Sequence, residues 1–290
     1  MRVLLTGATG QVGRALLARI PPVIELQPLT QQQLDIRDAG AVRLAVGTHQ
    51  PELIINAAAY TAVDQAEGEA DRAEAVNALG PRHLAQAARA LGCCRMIQLS
   101  TDYVFDGSST AAYRPDDRPN PLSVYGRSKL AGERAVIEIL ADRAVVLRTA
   151  WLYAARGRNF LLTMLRLMRE RGSVHVVADQ RGAPTAASSV ARALWALGQR
   201  PDVSGILHWT DAGVASWYDF ACAIAEDGLA AGLLTKPAQV IPISTADYPT
   251  PAHRPANSVL DMTASAAQLK LAPTPWRESL RSVMGELARG

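Results

Sequence analysis

Cysteine is scarce. Three in 290 residues, two of them neighbours at Cys93 and Cys94 and the third at Cys222, cannot build a disulfide framework, and adjacent thiols are poorly placed to bridge each other or to chelate zinc. Such usage points to a reducing compartment. Long hydrophobic runs are missing as well. Nowhere do 18 apolar residues stand together, and the opening Met1-Arg2-Val3-Leu4-Leu5-Thr6 meets a glycine too soon for a secretory h-region. Neither charge dominates: 30 basic residues against 27 acidic ones leave a net +3, spread without a run of either sign. That is no footprint of a nucleic-acid or membrane surface. No internal repeat, low-complexity tract or linker separates independent modules. The expectation is a cytoplasmic protein that meets no nucleic acid and no membrane.

What is present is apolar content of 49%, enough for a sizeable α/β core. The short apolar run at 3–5 reads as a strand buried on both faces, and residues 12–20 then follow helical spacing. Strand-like runs at 23–26, 53–56, 96–99 and 144–147 alternate with helical stretches at 41–48, 70–91 and 125–140. That alternation predicts parallel pairing in a doubly wound sheet of the Rossmann type. Beyond Thr149 the pattern loosens: helices are expected at 160–171 and 190–197, and proline becomes frequent from Pro237 to Pro275. We therefore expect a dinucleotide-binding domain over 1–150 with a returning segment near 183–210. A smaller, interleaved C-terminal substrate-binding lobe makes up most of 151–290.

Thr6-Gly7-Ala8-Thr9-Gly10-Gln11-Val12-Gly13 spaces glycines at i, i+3 and i+6 between a predicted strand and a predicted helix. Without Cβ atoms the backbone can turn sharply and approach a pyrophosphate at the helix N-terminus, with Gln11 and Val12 opening that helix. The glycine pattern alone is a weak signal; its place between strand and helix is what gives it weight. Where the second strand is expected to end, Gln27 is neutral and no arginine stands beside it, so NAD and NADP are not told apart there. Asp35 and Ile36 are expected near the adenine. Asn56-Ala57-Ala58-Ala59-Tyr60 ends the next strand with small side chains that leave room for a cofactor.

Ser100-Thr101-Asp102-Tyr103-Val104-Phe105 follows the 96–99 strand, at the edge where open α/β sheets carry their ligands. Thr101 could donate to a carbonyl oxygen, and Asp102 could fix a substrate hydroxyl or tune the proton path. In Tyr125-Gly126-Arg127-Ser128-Lys129 the phenol and ammonium stand at i and i+4, on one helix face. The lysine's charge, together with an oxidised nicotinamide ring, is expected to lower a phenol pKa near 10 and make Tyr125 a proton donor, with Lys129 also able to hold the nicotinamide ribose.

On these motifs, together with Asn56 to Asp64, Arg148-Thr149-Ala150-Trp151, Asp179 to Thr185 and His253-Arg254-Pro255, the chain resembles the extended short-chain dehydrogenase/reductase family over nearly its whole length. Within that family it is similar to the reductases of dTDP-4-keto-6-deoxy sugars. The resemblance implies hydride transfer from NADPH or NADH to C4 of dTDP-4-dehydro-L-rhamnose, NADP(H) being favoured. Tyr125 would be the proton donor, Lys129 its electrostatic partner, and Thr101, Asp102 and Tyr103 the substrate-side groups. It further implies that Trp151 packs on the sugar or the thymine nucleotide and that Arg254 meets the diphosphate. No metal is needed for that chemistry. Where relatives bridge a dimer through magnesium-bound glutamates, this chain has Ala15 and Ser188, so a monomer or metal-independent homodimer is expected. Two other readings stand beside this one: reduction of a related keto sugar, and a non-catalytic regulatory subunit that keeps the dinucleotide fold.

Overall fold

The computed structural model describes residues 1–289. In chain order the elements are β1 (Arg2–Thr6), α1 (Gln11–Leu17), β2 (Glu25–Leu29), α2 (Ala39–His49), β3 (Leu53–Asn56), α3 (Val63–Ala66), α4 (Ala70–Glu74), α5 (Gly80–Ala90), β4 (Arg95–Thr101), α6 (Val124–Leu140) and β5 (Ala144–Thr149). They continue with β6 (Leu152–Tyr153), α7 (Phe160–Arg171), β7 (Ser173–Val177), β8 (Arg181–Gly182), β9 (Thr185–Ala186), α8 (Ala187–Gly198), β10 (Gly205–His208), β11 (Ala215–Ser216), α9 (Trp217–Ala230), β12 (Gln239–Ile243), α10 (Thr263–Leu269) and α11 (Trp276–Arg289).

Six strands form one sheet in the order β10-β5-β4-β3-β1-β2, every pair parallel. Strands buried on both faces need a cover on each, and β1 divides its side chains accordingly. Val3 and Leu5 pack with Val12 and Leu16 of α1 and with Val190 and Leu194 of α8. Leu4 packs on the other side with Val42 of α2, Leu84 of α5 and Val136 of α6. Leu53 and Ile55 follow Val3 and Leu5, while Ile54 follows Leu4. This is the expected doubly wound parallel sheet. Its strand order reverses between β1 and β3, and there the Gly7 turn emerges.

Of the boundaries that differ from the sequence expectation, two bear on the site; α1 also ends at Leu17 and α8 begins at Ala187. The second strand runs Glu25–Leu29, so Gln27 lies inside it and Thr30 and Gln31 are the residues that leave it. Pro28 is tolerated because β2 is the edge strand and its missing N–H breaks no ladder. The helix expected over 70–91 is divided by a π-helical turn at Ala75–Leu79, directly before Gly80 and Pro81. A proline supplies no helix donor, and the widened turn leaves Asn77 buried against the exit of β3.

After β5 the chain builds a second core. Leu161 and Leu165 of α7, Val174 and Val176 of β7, Phe220 and Ile224 of α9, and Leu280 and Met284 of α11 pack together, with β7 and β12 paired in parallel. Between these pieces the chain returns to the main sheet: α8 covers α1, and β10 lies beside β5 with His208 opposite Arg148. Arg148 meets Glu133 of α6 in a two-pronged contact of 2.9 and 2.7 Å, both side chains 1% exposed. Among the described residues no helix is long and apolar enough to cross a membrane.

Candidate active site

The turn between β1 and α1 is shaped for close backbone contact. Gly7 has φ +73°, and a Cβ there would lie 2.6 Å from the Ala57 carbonyl carbon, so only glycine is accommodated. A Cβ on Gly13 would fall 2.7 Å from Ala8 Cα, whereas one on Gly10 meets only the Gly7 carbonyl at 3.2 Å. The first glycine thus lets the turn press against the exit of β3, the third lets α1 close on the turn, and the second is the least confined of the three. Gly10 is also the N-cap of α1, with no side chain capping it and no acid in the first turn, so the helix's leading amides stay free for an anion. A dinucleotide pyrophosphate fits this cradle.

A cavity of about 520 Å³ opens there, lined by Gly7, Gly10, Asp35, Ile36, Ala58, Ala59 and Tyr60 among others. Seven positions expected from the sequence to hold cofactor therefore share one cavity. Val12 and Gly13 are buried behind it, and Gln11 faces another cleft, where it accepts from Asn159 Nδ2 at 2.8 Å. Gln31, Arg37, Arg72 and Arg158 also line the cavity without having been singled out. Gln31 was hidden by the misjudged end of β2. Arg37 pairs with Asp35 and Arg72 with Glu69, while Arg158 meets no carboxylate among the described residues.

Amide and hydroxyl groups tie the strand ends together. Thr6 Oγ1 donates to Asn56 Oδ1, and Asn56 Nδ2 donates to Gln98 Oε1 at 2.7 Å, linking β1, β3 and β4 at matched register. Asn77 holds the next layer. It accepts from the Tyr60 N–H at 2.8 Å and donates to the Tyr60 carbonyl and to Ser128 Oγ, each at 3.0 Å. Ser128 lies on α6 between Tyr125 and Lys129, so the exit of β3 and the helix carrying these two are one rigid unit.

Helix α6 begins at a Ser123 cap whose Oγ accepts from the Gly126 N–H at 3.1 Å. Tyr125 and Lys129 are both buried, at 8% and 4% exposure. Lys129 Nζ donates to the Leu99 carbonyl at 2.6 Å, and burial draws its pKa down to about 8, against the pull of Glu133. Burial pushes the Tyr125 phenol well above its ordinary value; a hydrogen bond with Thr101 opposes this, and the neighbouring Asp102 and Tyr103 add to it. The ammonium is engaged by the Leu99 carbonyl, and the protein's own groups hold the phenol in its neutral form.

Thr101, at the end of β4, donates to Asp102 Oδ1 at 3.0 Å. Burial pushes Asp102 up to about 6, although hydroxyls of Ser258 and Thr101 favour its charged form. Ser100 Oγ and Thr149 Oγ1, at the ends of β4 and β5, are buried without a hydrogen-bond partner. Buried hydroxyls are seldom left unpaired, so these strand ends suit a polar guest. Tyr103 stands edge-on to Tyr125 with ring centroids 5.7 Å apart, and burial pushes its phenol to about 12.

A second cavity of about 370 Å³, largely apolar, is lined by Phe160, Met164, Val177, Gln180, Trp217 and Arg254 among others. Arg254 is the expected residue found in it. Trp151 does not line it: the indole stacks on Trp217 at 3.5 Å and 4°, and Trp217 presents the other residues of that pocket with an aromatic wall. Trp151 has φ +48°, an uncommon conformation for a bulky residue. The Ser216–Asp219 capping box that starts α9 was a readable signal for the position of Trp217.

Ala15 and Ser188 come together in a further cleft, of about 390 Å³, beside Arg14, Arg19, Arg156 and Glu286. Among the described residues no group of three or more His, Cys, Asp or Glu side chains could hold a metal ion.

The family model described as RmlD substrate binding domain matches residues 1–289. A dTDP-4-dehydrorhamnose reductase of Aggregatibacter actinomycetemcomitans is 41% identical over 289 residues, covering 97% of this chain and 98% of its own. A Streptomyces antibioticus protein named as a probable dTDP-4,6-dihydroxy-2-methyloxan-3-one 4-ketoreductase is 42% identical, covering 99% and 96%. The crystal structure of a dTDP-4-dehydrorhamnose reductase from Bacillus anthracis in complex with NADP superposes with a TM-score of 0.91 at 36% identity, covering 98% of this chain and 99% of that one.

Proposed function

The chain belongs to the RmlD substrate-binding-domain family, and from that premise we propose that it reduces dTDP-4-dehydro-L-rhamnose to dTDP-L-rhamnose with NADPH, NADH being the lesser donor. The observation that carries this reading is the position of Tyr125. Its phenol is buried beside the Thr101 hydroxyl, and Tyr60, which lines the glycine-turn cavity, packs on the same cluster as Tyr103, the neighbour of Arg254. Tyr125 lines neither cavity, but it adjoins the one suited to a dinucleotide through Tyr60 and the one suited to a nucleotide sugar through Tyr103 and Arg254.

When bound, the nicotinamide supplies the hydride that goes to C4 of the keto sugar. The leading amides of α1 would hold the pyrophosphate, and Asp35 and Ile36 would receive the adenine. Arg158 adds the free guanidinium of that cavity, which favours a cofactor richer in phosphate. Lys129 would hold the nicotinamide ribose, and Ala58 and Ala59 would leave the cofactor room. Tyr125, kept neutral by burial, delivers its proton to the oxygen on C4. Thr101 donates to that same oxygen, and Asp102 fixes a neighbouring sugar hydroxyl. Lys129 then favours the phenolate left behind. Arg254 meets the diphosphate, and the Trp151–Trp217 stack borders the nucleotide.

The test is consumption of NADPH by the purified protein on addition of dTDP-4-dehydrorhamnose, with the product identified by NMR. Good cofactor binding without turnover would overturn the proposal. The Streptomyces antibioticus relative favours a second reading, reduction of a related dTDP-keto sugar, which the ring-proton couplings of the product distinguish. A non-catalytic subunit would not need Thr101, Tyr125 and Lys129 together. Ala15 and Ser188 offer a cation no carboxylate, so we read the assembly as a monomer or metal-independent homodimer; light scattering with and without chelator checks it.

A further inference from the structure

Asp64 closes the Asn56 to Asp64 motif, yet it has no part in the steps above. It sits on the single-turn helix α3, and its carboxylate reaches across to the second lobe. Asp64 Oδ2 accepts from Arg254 Nη2 at 2.9 Å, and Oδ1 accepts from the Ala252 N–H at 3.3 Å. One carboxylate therefore holds both the arginine and the backbone two residues before it. The turn that carries Asp64 is itself fixed on the catalytic side. Three residues on, Glu67 Oε1 accepts from the Val124 N–H at 2.8 Å, at the first residue of α6, and Ala66 packs in the same cluster as Tyr125.

The Tyr103 phenol lies close enough to feel the charge of Arg254, which marks a short path: Asp64 to Arg254, Arg254 to Tyr103, and Tyr103 edge-on to Tyr125. The Arg254 Nε is buried with no partner, so the guanidinium still has a donor to offer. We propose that Asp64 is a positioning residue that keeps Arg254 aimed at the substrate diphosphate and so sets the distance from that anchor to Tyr125. This rests on the reading that Arg254 meets the diphosphate.

Two effects of Asp64 oppose each other. Its negative charge repels an incoming diphosphate, but the side chain is 39% exposed, where solvent screens that repulsion. Orientation acts otherwise: a long side chain held in one geometry loses no further freedom when the ligand arrives, and a misplaced anchor costs rate out of proportion to the displacement. Positioning is therefore the larger effect.

The experiment compares full-length wild type, Asp64→Asn, Asp64→Glu, Arg254→Gln and the Asp64→Asn/Arg254→Gln double variant. It measures dTDP binding by calorimetry, NADPH binding by fluorescence, and kcat and KM for the nucleotide sugar. Asp64→Asn is expected to weaken dTDP binding, raise KM by about tenfold and lower kcat by about tenfold, with NADPH affinity unchanged within about twofold. Asp64→Glu recovers part of the loss, and the double variant is no worse than Arg254→Gln alone. Unchanged or tighter dTDP binding in Asp64→Asn overturns the proposal, as does a loss that adds fully to that of Arg254→Gln. A parallel fall in NADPH affinity also overturns it, since that marks general damage to the fold. A wild type that binds NADPH but no dTDP overturns the substrate reading itself, and is recognised before any variant is compared.

Discussion

Replacing Tyr125 by phenylalanine removes one oxygen and leaves the ring in place, so its effects on chemistry and on folding can be separated. The ring packs with Ala66 and Ala73, contacts that phenylalanine keeps. The lost hydroxyl has a hydrogen bond with Thr101, but Thr101 also donates to Asp102 Oδ1 at 3.0 Å and is not left stranded. The folding cost should therefore stay near that of one exchanged hydrogen bond, about 0.5–1.5 kcal/mol. The chemical cost is larger, because a positioned proton donor contributes roughly 10²–10⁴ in rate, or about 3–5 kcal/mol of barrier. The assay follows NADPH absorbance under saturating dTDP-4-dehydrorhamnose, alongside NADPH titration and a urea melt. We expect kcat to fall about a thousandfold while NADPH affinity holds within about twofold. A loss of less than about tenfold, or an equal loss of cofactor affinity, would refute the assignment of the proton to Tyr125.

Asp102 is ionised at neutral pH only against its surroundings, since burial raises its pKa to about 6 from 3.8. Between about pH 4 and pH 6 the folded state binds the extra proton, so stability from this group declines as pH rises through that window, by on the order of 3 kcal/mol in all. Asp102→Asn should be more stable than wild type in urea melts at pH 8 and nearly equal to it at pH 4; the same difference at both pH values would contradict this. Glu133→Gln leaves Arg148 buried and unpaired, which should cost about 3–5 kcal/mol, whereas Glu133→Leu with Arg148→Met should restore most of it. Chemical denaturation of the two variants measures both. Arg158→Gln should weaken NADPH binding several-fold in fluorescence titration without altering thermal stability, because that side chain meets no carboxylate within the fold.

Much of the sheet was readable because buried parallel strands are short apolar runs set between helical periods. β3 was found residue for residue at 53–56, and α7 at 160–171. The glycine turn was readable for a steric reason, since Gly7 and Gly13 each exclude a Cβ. β2 was misplaced because it is an edge strand carrying Pro28, which interrupts the apolar pattern. In the second lobe, β6, β8, β9 and β11 are two residues long, too short for any alternation to show. Trp151 against Trp217 and Asp64 against Arg254 are pairings across the tertiary fold, and no local periodicity marks them. The partner that Lys129 takes within the fold is unreadable for a related reason. Helical spacing put both on one face, but the carbonyl of Leu99 that engages the ammonium belongs to β4.

The most direct measurement supplies dTDP-4-dehydrorhamnose with NADPH deuterated at the transferable position of the nicotinamide and reads the product by NMR. The account predicts dTDP-L-rhamnose carrying deuterium at C4, formed by wild type and nearly absent with Tyr125→Phe. Product with no deuterium at C4, or an equal yield from the phenylalanine variant, would contradict it.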